Sequence, residues 1–475
     1  MKKYLSITLV LCLILSAAAC GKTAPPEVTD AADIEATEAV ESNESENAEI
    51  TDEMRTALVQ ISDAFTEAFL AGDYEACMVD FDATMLALLP AARLEEAWNG
   101  VAAEFGVVLG VEKVEYEADA SYLYALTTLN CEKGNVVMRL SLSNEGKIAG
   151  LFFMPEEKDA TEVEAVVLPE GIVEEAVVVG EGTTFELAGL LTMPENPSGK
   201  LTAVVLVHGS GPQDMDETIY GNKPFRDIAY ALAQEGFAVL RYNKRTFSHA
   251  SEMAVSSVPL SVRMETIEDA VQAKNLLAVD ARIDADKIFV LGHSLGGMLA
   301  PRIAEEGDFA GGILLAGSPR RLVDIVYMQN MASLALMEGQ EKIDGQVLVD
   351  GEMQKYNELF EDGNMDLLMN TVVFGMPAFY LAEMDNYPAE DFLRMGKPFF
   401  VLQGKADVQV TYEADFRLYG EMNLPNVECR AYDGLNHFFM PSEAENLLEG
   451  VAEYEIPAHV DAAVLADIAA WLHAQ

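Results

Sequence analysis

From residue 165 to residue 475, short apolar runs alternate with amphipathic helical patterns. Three of the apolar runs have the length and character of buried strands: TAVVLVHG (202–209), KIFVLG (287–292) and PFFVLQG (398–404). Strands that are apolar throughout and separated by helices are typical of a mostly parallel sheet covered on both faces. We therefore predict an α/β domain over residues 165–475, closed by a helix at about residues 459–474.

A pentapeptide of the form G-x-S-x-G, GHSLG at residues 292–296, stands at one of these strand-to-helix junctions. A serine on such a sharp turn is exposed above the sheet, and the two glycines leave room for the strained backbone. The amino-terminal end of the following helix also favours negative charge that develops during a reaction. This context predicts Ser294 as a catalytic nucleophile.

A serine nucleophile needs a base, commonly a histidine, and the chain contains six histidines. Only His437, in the segment GLNHFF (434–439), lies in a loop at the carboxyl-terminal end of a predicted strand. We therefore predict His437 as the base. The other five lie in less suitable places: His208 directly after a strand, His249 in a polar loop, His293 inside the pentapeptide, and His459 and His473 in the predicted closing helix.

A carboxylate is needed to hold the histidine in the reactive tautomer. Asp407 follows the strand PFFVLQG, in the segment GKAD (404–407). Asp324, in a helical stretch after the preceding strand, and Asp433, four residues before the candidate base, are alternatives. The residues alone leave these three candidates for the acid open.

The motifs HGSGPQD (208–214), LRYNKR (240–245) and GHSLGG (292–297), with the loops of Asp407 and His437, resemble bacterial serine carboxylesterases of the α/β-hydrolase superfamily. In that superfamily the nucleophile, the acid and the base follow one another along the chain as Ser, Asp and His. The resemblance implies an α/β-hydrolase fold, Asp407 as the acid, and ester hydrolysis that needs no cofactor and no metal.

The same resemblance implies a catalytic role for the turn HGSG (208–211). In the family such a turn directs a backbone N–H at the substrate oxygen, and a second N–H comes from the residue after the nucleophile. Carried over to this chain, the oxyanion-hole donors are Ser210 and Leu295, each expected to stabilise the transition state by ~3 kcal/mol. His208 itself is expected to be structural, and Asn243 stands where many relatives carry Asp.

The segment between Pro319 and Met395 departs from the alternation of strands and helices. Its patterns are helical, and insertions at this position cover the site in many relatives, so we expect a helical cap over residues 319–395. It contains nine of the 22 methionines of the chain. Flexible thioethers suit a pocket for variable acyl groups, and a Met-rich helical core is the alternative.

An earlier part of the chain, residues 54–160, has a different pattern. Apolar residues at helical spacing within residues 58–69 are followed later by period-two alternation in NVVMRLSLS (135–143). Helices followed by an antiparallel sheet predict a small α+β domain. The arrangement resembles the DUF3887 domain found ahead of hydrolases in secreted bacterial proteins, a curved-sheet roll of NTF2 or cystatin type. We expect a spacer or binding module with Cys77 and Cys131 as free buried thiols, a disulfide between them being the alternative.

Residues 1–19 have the organisation of a secretory signal peptide, with two lysines, an apolar stretch and a run of alanines. Cys20, directly after this run, resembles the lipobox cysteine of bacterial lipoproteins, which is diacylated and becomes the new amino terminus. Residues 20–53 are strongly acidic and contain no large aromatic residue, which is typical of an extended, disordered tether. We therefore expect a lipid-anchored protein on the extracytoplasmic face of the bacterial cell membrane.

The formal net charge of −49, from 30 basic and 79 acidic residues, argues against two kinds of partner. Phosphate binding needs clustered lysine and arginine, so we expect no nucleic acid partner. For the same reason, membrane association is expected through the lipid anchor only. Five cysteines without paired spacing argue against both a disulfide scaffold and a zinc site.

Together these features predict an enzyme that cleaves small-molecule carboxylic esters of short to medium acyl chain through Ser294, His437 and Asp407. A peptidase or an acyltransferase with the same three residues is an alternative, which turnover of peptide amides against aryl esters would distinguish. A binding lipoprotein, whose hydrolase half only supports the first domain, is an alternative from another class. The presence of all three catalytic residues argues against it.

Overall fold

The computed structural model describes residues 52–82, 85–86, 89–118, 122–143, 146–155, 168–250, 253 and 260–475. The chain divides into two compact units, one ending at Val166 and the other running from Val167 to the last residue. The predicted signal peptide, Cys20 and nearly all of the predicted tether lie outside the described residues. Among the residues that are described, no helix is both long enough and apolar enough to cross a membrane.

The first unit contains helices followed by a four-stranded antiparallel sheet, in the order that the sequence predicts. The helices are α1 (Asp52–Leu70), α2 (Tyr74–Cys77) and α3 (Ala91–Phe105). The strands are β1 (Val108–Ala118), β2 (Tyr122–Cys131), β3 (Gly134–Ser143) and β4 (Ile148–Pro155). They pair in the order β1-β2-β3-β4. The small α+β architecture is therefore confirmed.

The two predicted periodicities account for the core of this unit. On α1, Leu58, Phe65 and Phe69 are buried at helical spacing. They share one apolar cluster with alternate residues of β3, namely Val136, Met138, Leu140 and Leu142. Cys77 and Cys131 are both buried and free, as expected, and burial raises the pKa of each thiol.

The second unit is built on an eight-stranded, mostly parallel sheet. Its strands are β5 (Ile172–Val179), β6 (Leu187–Pro194), β7 (Leu201–Val207), β8 (Ala238–Tyr242), β9 (Ile283–His293), β10 (Gly312–Leu315), β13 (Phe399–Gly404) and β14 (Val427–Tyr432). Their spatial order is β14-β13-β10-β9-β7-β8-β6-β5. Only the pairings of β5 with β6 and of β6 with β8 are antiparallel. The sheet prediction is confirmed.

The helices of the unit are α4 (Pro224–Gln234), α5 (Arg245–Ser248), α6 (Glu268–Ala278), α7 (Leu295–Glu306), α8 (Leu322–Ala335), α9 (Gly339–Asp362), α10 (Met365–Asn370), α11 (Ala378–Asn386), α12 (Ala389–Leu393), α13 (Arg417–Met422), α14 (Leu447–Glu453) and α15 (Ala462–His473). Helices α4, α6, α7 and α15 pack on the two faces of this sheet. Alternate residues of a strand point to opposite faces. Val204 and Leu206 of β7 therefore pack in the cluster that includes α4 and α15, whereas Val205 packs in the cluster that includes α6 and α7.

The closing helix is shorter than the sequence predicts. Helix α15 begins at Ala462, because the side chain of Asp461 accepts a hydrogen bond from the Ala463 N–H at 2.8 Å and caps the helix. His459 therefore lies before the helix, with its Nδ1 atom 3.1 Å from the carboxylate of Asp227. The placement of His459 in the terminal helix is wrong.

The predicted helical insertion is present between β10 and β13. It comprises α8 to α12 and a short hairpin of β11 (Val372–Val373) and β12 (Met376–Pro377). Strands β10 and β13 are neighbours in the sheet, so the insertion leaves the sheet continuous. Met384 is buried in the core of the unit, but Met328 and Met395 are exposed, so the methionines do not form one common lining.

Candidate active site

The turn at Ser294 has the backbone geometry expected of a nucleophile turn. Strand β9 ends at His293 and α7 begins at Leu295, and Ser294 between them has φ 51° and ψ −113°. A positive φ is strained for a residue with a side chain. The Ser294 N–H donates to the carbonyl oxygen of Leu315 at 2.8 Å, which ties the turn to β10. The residue is partly exposed.

Two glycines of the pentapeptide are required by close backbone approaches. A Cβ atom on Gly292 would lie 2.0 Å from the carbonyl oxygen of Gly296. A Cβ atom on Gly296 would lie 2.2 Å from the carbonyl oxygen of Val207. A side chain at either position would have to displace backbone, so the turn can form only with glycine at both.

The predicted base and acid are in direct contact. The Nδ1 atom of His437 is 2.7 Å from Oδ2 of Asp407, and both side chains are buried. Oδ2 also accepts a hydrogen bond from the side chain of Gln403 at 2.8 Å, and Oδ1 accepts from the N–H groups of Gln409 and Val410. Because the carboxylate accepts at Nδ1, the proton of a neutral His437 lies on that nitrogen and Nε2 is left as the basic site.

The two alternative acids form ion pairs with other side chains. Asp324 binds the guanidinium of Arg321, with oxygen–nitrogen distances of 2.9 and 2.7 Å. Asp433 binds Lys405 at 2.8 Å, and its side chain is 90% exposed. The structure therefore brings His437 together with Asp407 and with neither alternative.

Two contacts bring the Ser294 turn to the other predicted site residues. The Nε2 atom of His293, adjacent to Ser294 in the chain, is 3.0 Å from the carbonyl oxygen of His437, and the two imidazole rings are 4.7 Å apart. On the opposite side, a Cβ atom on Gly209 would lie 3.2 Å from the Cβ atom of Ser294. The Ser294 turn, the His437 loop and the HGSG turn therefore meet at the carboxyl ends of the parallel strands, the usual place for a site in an open α/β sheet.

The HGSG turn presents a backbone donor. Within the described ranges, the Ser210 N–H donates to no protein acceptor. Leu295 is the first residue of α7, where N–H groups have no partner inside the helix. His208 points away from this turn: its Nε2 is 2.9 Å from the carbonyl oxygen of Asp214, and burial lowers its pKa to about 4. A neutral, buried His208 agrees with the structural role expected for it.

A buried pair that the sequence did not indicate links the parts of this site. Oε1 of Glu217 accepts hydrogen bonds from the Gly209 N–H at 2.8 Å and from Nδ1 of His293 at 3.0 Å. Both nitrogens of His293 therefore face oxygen atoms, an arrangement that favours the doubly protonated ring. Burial disfavours both charges, but the mutual attraction and hydrogen bonds hold the pKa of Glu217 below its ordinary value and the pKa of His293 above it.

The motif LRYNKR supplies a further contact that the sequence did not assign. Oδ1 of Asn243 accepts a hydrogen bond from the Met215 N–H at 2.9 Å, and an Asp at this position would accept it as well. The Nζ atom of Lys244 donates to the carbonyl oxygen of Gly209 at 2.8 Å. The sequence identifies the motif, but only the structure shows that its lysine contacts a glycine 35 residues away.

Comparison with known proteins identifies both units. Residues 204–449 match the family described as the alpha/beta hydrolase family, and residues 62–151 match DUF3887, a family of proteins of unknown function. The chain is 34% identical over 415 residues to Esterase EstD of Thermotoga maritima, an alignment that covers 86% of this chain and 93% of that protein.

More distant similarities are also found. The chain is 22% identical over 266 residues to the acylamino-acid-releasing enzyme of Rattus norvegicus, which covers 55% of this chain and 32% of that protein. Among solved structures, Est1E from Butyrivibrio proteoclasticus is similar with a TM-score of 0.39 and 15% identity, over 63% of this chain and 99% of that one. From the family match and the relative aligned along most of its length, we conclude that this chain belongs to the alpha/beta hydrolase family.

Proposed function

We propose that this protein is a carboxylic ester hydrolase in which Ser294 is the nucleophile, His437 the general base and Asp407 the residue that orients it. The observation that carries the proposal is the 2.7 Å contact between His437 Nδ1 and Asp407 Oδ2, in a loop that contacts the strained turn of Ser294. The similarity to an esterase along most of the chain supports the same reaction class.

In the proposed reaction, Nε2 of His437 takes the hydroxyl proton of Ser294 as its oxygen attacks the ester carbonyl carbon. Asp407 stabilises the imidazolium that forms. The N–H groups of Ser210 and Leu295 hold the oxyanion of the tetrahedral intermediate. His437 then gives its proton to the leaving alcohol, which leaves an acyl group on Ser294. Water attacks this acyl-enzyme with the same proton transfers and releases the carboxylic acid.

We propose that the substrates carry short to medium acyl chains. The insertion is fastened close to the nucleophile helix, since Glu383 on α11 lies 3.2 Å from the guanidinium of Arg302 on α7. A small cavity between the end of β10 and the insertion is lined by Met298, Leu299 and Met384 together with polar side chains that include Arg320, Arg321 and Asp385. Met298 is one helical turn after Ser294, and we propose that the acyl group is held beside it, under the insertion.

We also propose that Cys20 is lipidated and anchors the enzyme to the outer face of the cell membrane. Support comes from the sequence: a signal-like segment, small residues before the cysteine, and an acidic tether after it. Two acyl chains are sufficient for stable membrane association.

Steady-state turnover tests the proposed function. The full chain should hydrolyse p-nitrophenyl acetate or butyrate, and the Ser294→Ala variant should lose activity by about 10⁴-fold or more. The distant similarity to an acylamino-acid-releasing enzyme makes acylated peptide amides the matched second substrate class. Higher kcat/KM for the amides would favour a peptidase, and no turnover of either class would contradict the proposal.

A further inference from the structure

The oxyanion donor Ser210 N–H belongs to the same peptide unit as the carbonyl group of Gly209. A trans peptide is planar, so its C=O and N–H point in opposite directions. Whatever holds the carbonyl oxygen of Gly209 therefore also sets the direction of the Ser210 N–H.

That carbonyl oxygen is held by a buried ammonium group. Nζ of Lys244 donates to it at 2.8 Å, and the same Nζ is 2.8 Å from Oε1 of Glu265. The side chains of Lys244 and Glu265 are 3% and 7% exposed, so the ion pair is screened little by solvent. The backbone of Lys244 is also fastened to the same loop, because its N–H donates to the carbonyl oxygen of Gln213 at 3.0 Å.

The pair is connected to the insertion. Oε2 of Glu265 accepts a hydrogen bond from the hydroxyl group of Tyr380 at 2.6 Å, and Tyr380 is buried on α11. A chain of hydrogen bonds therefore runs from α11 through Glu265 and Lys244 to the Gly209 carbonyl group. Each carboxylate oxygen of Glu265 has its own donor.

We propose that Lys244 is a positioning residue for the oxyanion hole: its ammonium group orients and polarises the Gly209–Ser210 peptide so that the Ser210 N–H faces the developing oxyanion. The inference rests on the proposed ester hydrolysis. A cation at the carbonyl oxygen draws electron density from the peptide nitrogen and strengthens its N–H as a donor, as in cooperative hydrogen-bond chains. The ammonium group has three N–H donors: Glu265 accepts one of them and the carbonyl oxygen of Gly209 accepts a second.

The test is steady-state kinetics of Lys244→Met and Lys244→Arg in the full chain with an aryl ester. Misdirecting one donor should lower kcat by about 10- to 100-fold for the Met variant, somewhat less than complete removal of a donor, with KM within about twofold. Lys244→Arg keeps the positive charge and should recover part of kcat. Inhibition by an aryl trifluoromethyl ketone, whose adduct places an oxyanion in the hole, should weaken by a similar factor.

The matched control is Arg245→Met, which also removes a buried cation from this loop. Arg245 pairs with Asp269 and Glu268 and, among the described residues, forms no hydrogen bond or ion pair with the HGSG turn. It should lower thermal stability but leave kcat and inhibitor binding within about twofold, because a lost structural pair acts on folding rather than on the transition state. Equal kinetic losses in the Lys244 and Arg245 variants would overturn the proposal.

Two further variants test the proposal if Lys244→Met does not fold. Lys244→Met combined with Glu265→Gln leaves no buried charge without a partner, and it should show the same selective loss of kcat. Tyr380→Phe removes only the outer hydrogen bond and should lower kcat by about three- to tenfold. A folded double variant with kcat unchanged would overturn the role of Lys244. Absence of ester turnover in the unaltered protein would instead contradict the proposed function.

Discussion

At the scale of single residues, the contacts of Asp407 decide how His437 is oriented. The carboxylate accepts four hydrogen bonds: from His437, from the side chain of Gln403, and from the backbone N–H groups of Gln409 and Val410. An asparagine at this position would place its NH₂ group against at least one of these donors, where no hydrogen bond can form. The imidazole would then rotate or change tautomer, and Nε2 would no longer be the basic site.

We therefore expect Asp407→Asn to lower kcat for an aryl ester by about 10⁴-fold, with the fold retained. Asp324→Asn and Asp433→Asn are matched controls, because both remove a loop or helix-end carboxylate that is bound to a cation elsewhere. The kcat of each of these two variants should stay within about twofold of the parent value. A larger loss in either control than in Asp407→Asn would show that the acid is misassigned.

The buried pair of Glu217 and His293 makes a prediction about pH and stability. Ionised Glu217, with a lowered pKa, contributes stability above its unfolded-state pKa, and this is lost as pH falls through the folded-state value. Protonated His293, with a raised pKa, contributes fully below its unfolded-state pKa, and this is lost as pH rises through the folded-state value. The contribution of the pair is therefore complete between about pH 4.3 and pH 6.5, the ordinary values of the two groups, and it is lost only further out, below the lowered pKa of Glu217 and above the raised pKa of His293.

Glu217→Gln should accordingly reduce the free energy of unfolding most within that window. Removing one partner of a buried pair costs about 3 kcal/mol there, and the difference from the parent should shrink as the pH rises through the raised pKa of His293. Urea unfolding at several pH values measures it. A difference that is constant from pH 5 to pH 9 would show that the pair is not ionised in the folded protein.

The proposed catalytic residues could be selected from the sequence because each follows a strand within a short, recognisable segment. Ser294 lies in GHSLG, and His437 is the only histidine in a suitable loop. The residues that hold them were not predictable. Glu217 and His293 are 76 residues apart, and Lys244 and Gly209 are 35 apart, so no local pattern connects them. A glutamate in an acidic loop is usually solvated, and nothing in the sequence marks Glu217 as buried.

At the scale of elements, we propose that the insertion between β10 and β13 limits the space for substrate. Helix α11 is held by Glu383, which binds Arg302 of α7 and accepts a hydrogen bond from the Val262 N–H at 2.8 Å. We expect an insertion that is held in this way to limit the length of the acyl chain that the site accepts.

We expect kcat/KM to rise from acetyl esters and then fall, with the highest value between roughly acetyl and hexanoyl. Each methylene that is buried adds ~0.8 kcal/mol until the chain exceeds the available space. Measuring kcat/KM over p-nitrophenyl esters from two to sixteen carbons, about the range of common substrates, tests this. A maximum at long chains would contradict the assignment of the cavity beside Met298 as the acyl site.

Strand and helix periodicity predicted the elements, whereas their ends depended on single side chains. The apolar pattern of α15 continues upstream to His459, yet the helix begins at Ala462 because Asp461 caps it. The π-helical turn at Arg263–Ile267 before α6, which places Glu265 toward Lys244, has no sequence signature of its own. The start of α15 and the π-helical turn before α6 both depend on contacts of individual side chains that the periodicity does not show.

At the scale of the whole molecule, the chain joins a small α+β unit, described within residues 52–155, to the hydrolase unit. The predicted lipid anchor precedes both. Replacing Cys20 by Ser should move the protein from the membrane fraction to the soluble fraction or the medium, because the variant lacks the residue that carries the acyl chains. Fractionation with mass spectrometry of the amino-terminal peptide measures it. Unchanged fractionation without lipid mass would refute the anchor.

The central claim is that Ser294 is an activated nucleophile in a site assembled from the β7, β9, β13 and β14 loops. The most direct measurement is labelling of the full protein with a fluorophosphonate, followed by mass spectrometry of the modified peptide. The account predicts one labelled residue, Ser294, and loss of labelling in both Ser294→Ala and heat-unfolded protein. Labelling of another serine, or equal labelling of the Ser294→Ala variant, would contradict it.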